Sequence, residues 1–81
     1  MTLGELKSRL TYILSEEEDR DVDWKLVEHL CLSLLEELRA DPPSGCPAEL
    51  LDDFLSGFDQ RRHDSVFAQA QRSQLVSFLR S

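Results

Sequence analysis

The sequence predicts an all-α fold: a small antiparallel four-helix bundle forming one domain over residues 1–81. Three observations carry that prediction. Fifteen of the 81 residues are leucine, while the β-branched Val, Ile and Thr together number seven. Leucine keeps its rotamer freedom in a helix, whereas β-branched side chains crowd the preceding turn. Three Gly and three Pro leave few places for the chain to turn. Finally, apolar residues recur at intervals of three and four along four separate segments.

The first helix is expected at about residues 2–15. Thr2 and Glu5 read as a capping box, in which each side chain satisfies a free N–H at the helix start. Leu3, Leu6, Leu10, Ile13 and Leu14 then fall on one stripe. Ser15 to Asp23 carries six acids and one Arg and reads as a solvated linker whose last residues, Asp21 or Asp23, cap the next helix. The second helix is expected at about 23–40. Its apolar positions, from Trp24 through Leu38, cover a wide arc, so it belongs at the centre of the bundle.

Asp41-Pro42-Pro43-Ser44-Gly45-Cys46 breaks that helix, because Pro cannot continue it and Gly permits a turn. A third helix is expected at about 47–56, with Pro47 as its first residue and Gly57 as its terminator. Leu50, Leu51, Phe54, Leu55 and Phe58 form its stripe. The last helix is expected from Asp59 or Asp64 to about Arg80, over residues 60/64–80. Phe67, Ala70, Leu75, Phe78 and Leu79 lie on one side, but Gln71 and Gln74 intrude there and Val76 points away.

Charge narrows the function classes. Residues 1–59 hold 15 Asp/Glu against five Lys/Arg, whereas residues 60–81 hold four Arg against one Asp, for a whole-chain net of -7. An acidic body is a poor ligand for nucleic acid or for anionic membranes, both of which reward cations. It suits a basic partner, or solubility alone. No apolar run approaches the ~20 residues of a membrane span, and no secretory signal is visible at Met1-Thr2-Leu3-Gly4-Glu5. Two cysteines are too few for a disulfide scaffold. The expected setting is cytoplasmic.

No motif carries chemistry. Asp19-x-Asp21-x-Asp23 has the alternate spacing of a calcium loop, but such a loop needs Gly at its position 6 and Glu at 12. Trp24 and Leu30 stand there, and starting from Glu17 puts Val22 at the glycine position. Among His29, Cys31, Cys46 and His63, the candidates for metal, His29 and Cys31 sit two apart on a helix and diverge, and Cys46 has no neighbouring thiol, so no Cys-x-x-Cys half-site exists. His63-Asp64-Ser65 has the letters of a hydrolase triad in adjacent positions, where side chains splay apart. Asp64-Ser65-Val66 resembles the Asp-Ser-Leu of acyl carrier proteins, yet only 16 residues follow the serine. Size, acidity and Pro43-Ser44-Gly45 after the second helix resemble colicin immunity proteins. Their contact tyrosines on the third helix are replaced here by Ala48-Glu49-Leu50-Leu51-Asp52-Asp53. No family is assigned, and no enzyme, metal, cofactor or small-molecule substrate is expected.

Surface apolarity remains. Four short helices need about 16 to 20 inward residues, and the stripes already supply them. Trp24, Leu26, Leu30 and Leu32 are then surplus, which predicts a homodimer or hetero-partner interface along the first half of the second helix, anchored by Trp24. Arg61 and Arg62 are the candidates for charged contacts. The leading expectation is a non-catalytic helical module that binds another protein or itself. The alternative is an acidic inhibitor, of immunity, antitoxin or nucleic-acid-mimic type, of a nucleic-acid-acting protein.

Overall fold

A computed structural model describes all residues, Met1–Ser81. It is all-α, with five helices and no strand: α1 Leu3–Glu17, α2 Trp24–Ala40, α3 Ala48–Ser56, α4 Phe58–His63 and α5 Ser65–Arg80. The helical bundle is as expected, but a fifth, short helix, α4, precedes the last one, and α1 runs past its expected end.

The starts follow their caps. The Thr2 hydroxyl accepts from the Glu5 N–H at 3.1 Å, and Asp23 accepts from the Leu26 N–H at 3.2 Å to open α2. Asp41-Pro42-Pro43 ends α2, and Gly45 takes the left-handed conformation at φ 79° that the turn needs. Pro47 stands just outside α3, its carbonyl accepting from the Leu51 N–H at 3.1 Å. Gly57 ends α3 without a left-handed twist, at φ -91°, and the chain turns straight into α4. Asp64 ends α4 and caps α5 through the Phe67 N–H at 3.1 Å. Of the two expected starts, Asp64 is thus where the long last helix begins.

α2 packs against α1, α3 and α4 and gives the core five buried residues. Its buried stripe of Val27, Cys31, Leu34, Leu35 and Leu38 meets Leu6, Leu10, Ile13 and Leu14 of α1 and Leu51, Phe54 and Leu55 of α3. The apolar side of α5 is thinner, with only Ala68 and Leu75 fully buried. Val76 does not point away, as its spacing predicted; it is half-buried against the core.

The solvated linker needs correction as well. Ser15 to Glu17 continue α1, and Glu17 is buried. A carboxylate leaves water only when something replaces its hydration. The replacement comes from 44 residues away, from Arg61.

Candidate functional site

The most concentrated polar chemistry in the molecule lies inside it. Arg61 and Glu17 have side chains 0% exposed. The guanidinium donates to both carboxylate oxygens, Nε to Oε1 at 2.9 Å and Nη2 to Oε2 at 3.0 Å. Nη1 donates to Gln71 Oε1 at 2.7 Å and to the Phe54 carbonyl. Nη2 also reaches Cys31 Sγ at 3.7 Å. The Phe54 ring lies beneath the guanidinium, 3.9 Å from its carbon to the ring centroid, a cation–π stack. Arg72 adds a second cation to Glu17 Oε1 at 3.1 Å, and Gln71 uses its amide on the Asp53 carbonyl at 3.1 Å.

Each helix contributes to this knot: Glu17 from α1, Cys31 from α2, Phe54 from α3, Arg61 from α4, and Gln71 and Arg72 from α5. A bidentate arginine–carboxylate pair with the remaining donors satisfied is what lets two charges stay buried. No buried side-chain nitrogen or oxygen lacks a partner. The cluster therefore holds the five helices in register and leaves no atom free for a substrate. Burial pushes the Cys31 thiol up to about 11, and the Glu17 carboxylate pushes in the same direction while Arg61 opposes both. A thiol so protonated is a poor nucleophile.

This geometry overturns one expectation directly. Arg61 is not a charged contact for a partner; its side chain is wholly internal. Arg62, beside it, is exposed. The sequence signal for the buried pair was present in the glutamine at position 71, a polar residue intruding on the apolar side of α5.

The four expected interface residues do not form one patch. Trp24 and Leu30 are half-buried against the core, so counting them as surplus understated how many residues the core takes. Leu26 is half-buried too, and Leu32 is 47% exposed. At about 100° per residue, Leu26 and Leu32 lie about 120° apart on α2. They face different sides of the helix.

Leu32 instead shares its side of α2 with Leu35 and Arg39, three and seven residues on. Those two line a groove of about 590 Å³ between the end of α2 and the start of α3. Leu38, Leu51, Pro42, Cys46 and Ala48 supply its apolar surface, while Glu49, Asp52 and Asp53 stand along its α3 edge. Arg39 donates to Asp52 at 3.0 Å across the mouth, with side chains 68% and 49% exposed. An exposed pair of this kind opens at little cost. Two other depressions are more polar: one of about 800 Å³ along the Ser- and Arg-bearing side of α5, one of about 500 Å³ where Gln60, Gln71 and Gln74 meet.

No three His, Cys, Asp or Glu side chains converge where they could hold a metal ion. His29 and His63 are exposed and apart from Cys31, which is buried. No helix is long and apolar enough to cross a membrane. The chain matches no protein-family model, no curated protein and no solved structure.

Proposed function

We propose that this chain is a non-catalytic helical module that binds another protein through the groove between α2 and α3, extended by Leu32. The groove itself carries the reading. Its surface is apolar and its rim charged, as in docking sites where buried side chains give affinity and a polar edge sets orientation. The buried Glu17–Arg61 knot supports the reading from the other side, because it locks the helices that would have to present a rigid face. A cytoplasmic setting, where Cys31 and Cys46 stay reduced, belongs to this reading.

The test compares the wild-type chain with a Leu32→Gln/Ala48→Gln variant as affinity baits, at equal folded amounts by circular dichroism. Both positions are exposed, so neither change reaches the core. A partner retained by the wild type and depleted about tenfold on the variant is the expected result, a loss of about 1.4 kcal/mol. Identical capture by the two baits refutes the groove. Sedimentation of the wild type at tens of micromolar reads the self-association arm. A partner that is a nucleic-acid-acting protein, lost steeply between low and moderate salt, would move the reading to the acidic-inhibitor class.

A further inference from the structure

The geometry points to a cationic amphipathic helix, carried by a different protein, as the occupant of the α2–α3 groove; this rests on the docking reading above and names the chemistry of its partner. Three features of this surface select it. Charge comes first. Glu49, Asp52 and Asp53 line the α3 edge. Glu28 and Glu36 are exposed on α2, four residues either side of Leu32. The opposing cations near this surface are Arg39, already paired with Asp52, and Lys25, one further turn away. The balance around an apolar floor is negative, so a docking segment gains by bringing Lys or Arg to the rim.

Length comes second. On α2 the groove wall runs from Leu35 to Arg39, about 6 Å at 1.5 Å per residue, and exposed Leu32 on the same side extends the face to about 10 Å, or two turns of a facing helix. That length accommodates apolar anchors at i, i+3 or i+4, and i+7, the pattern of a helix laid in a groove.

The third feature excludes a second copy of this chain. The only cation-rich segment here is residues 60–81, with four arginines against one acid. Arg61 is buried on Glu17, and Arg72 is also committed to Glu17. Arg62 and Arg80 remain, one in the last turn of α4 and one in the last turn of α5, with the length of α5 between them. Two scattered arginines do not match three carboxylates along the groove edge with Glu28 and Glu36 flanking Leu32.

Three synthetic 14-residue helical peptides test the assignment on the full 81-residue chain, sharing one leucine stripe and differing only in polar residues: Lys, Gln or Glu. Amide chemical-shift mapping reads where each binds, and blocking of Cys46 toward a thiol reagent gives a second readout from the groove wall. The Lys peptide is expected to shift amides in 32–39 and 46–53 and to protect Cys46. Its affinity should fall about tenfold or more on Glu49→Lys/Asp53→Lys and again with added salt. Both positions sit on the exposed edge of α3, and the thermal melt of the variant checks its fold.

The acid-rich stretch from Glu18 to Asp23 is an internal control, being acidic without an apolar floor. A Lys peptide that shifts this stretch as strongly as the groove, or that ignores the charge reversal, overturns the proposal as non-specific attraction. A Gln or Glu peptide that occupies the groove as tightly as the Lys peptide overturns the cationic assignment and leaves the docking reading standing. No peptide in the groove and no protection of Cys46 overturns the assignment, and the Leu32→Gln/Ala48→Gln bait comparison then judges the docking reading independently.

Discussion

Arg61 is the residue whose role most exceeds its appearance. In the sequence it begins the run Arg-Arg-His at a polar helix end; in the fold it is fully buried and touches four other helices. Replacing it by Ala leaves Glu17 in the interior with only Arg72 beside it. The expected loss is about 3–5 kcal/mol, against a total of roughly 4–12 kcal/mol for a domain of this size. Urea unfolding measures it. Arg61→Lys should recover little, since one ammonium cannot serve both carboxylate oxygens, Gln71 and the Phe54 carbonyl in that planar arrangement. A Glu17→Leu/Arg61→Met double variant should be more stable than either single variant, because neither charge is left unpaired in the core. If Arg61→Ala unfolds at the wild-type urea concentration, the buried pair contributes nothing to the fold. Arg62, one residue on and exposed, should tolerate the same change within about 0.5 kcal/mol.

At the scale of elements, the corners of α4 matter most. With six residues it is too short to hold itself together by its own turns. Gly57 and Asp64 position it. A Cβ on Gly57 would stand 2.8 Å from Gln71 Oε1 and 2.9 Å from the Asp53 carbonyl oxygen. One of these is backbone, and the other is the amide that accepts from Arg61. Gly57→Ala should therefore cost about 1–3 kcal/mol through overpacking and should also loosen the Arg61 knot. A thermal melt checks the first effect, and faster labelling of Cys31 the second. Asp64→Ala removes the acceptor for the Phe67 N–H and should cost about 1 kcal/mol, as lost N-caps do. An unchanged melt for Asp64→Ala would mean that packing against α3 and α4 alone sets where α5 begins.

For the molecule as a whole, the two thiols report on global stability. At pH 8 a thiol reagent should modify Cys46, half-buried at the groove, while Cys31 waits for unfolding. Rapid labelling of both in the native protein would contradict the closed core. Cys31 also makes stability depend on alkaline pH. Unfolded, its thiol ionises near 9.0; folded, it keeps its proton to about 11. Between those values the unfolded chain holds fewer protons than the native one, so stability falls as pH rises, by roughly 2–3 kcal/mol over the window. Below pH 9 the contribution is fully present. Comparing the unfolding free energy of wild type and Cys31→Ala from pH 8 to 11 isolates it, and parallel curves would refute it.

The sequence by itself determined the class of fold, the starts of α1 to α3, the ends of α2 and α3, and the broad apolar stripe of α2. These follow from local causes: leucine spacing, Thr2 and Asp23 at helix starts, and two prolines with a glycine after Ala40. Such signals act within a few residues and need no knowledge of what lies across the core. What the tertiary structure alone decided is which polar residues go inside and which apolar ones stay out. Glu17 and Arg61 are 44 residues apart, and each reads as solvated until the other is placed beside it. Trp24 and Leu30 looked surplus because a count of stripes treats a helix as having one inner face, whereas α2 is covered by three neighbours. The groove likewise arises only where α3 folds back along α2, bringing Leu51, Asp52 and Asp53 beside Leu35 and Arg39. Burial is a property of partners, and partners distant in the chain are chosen by packing.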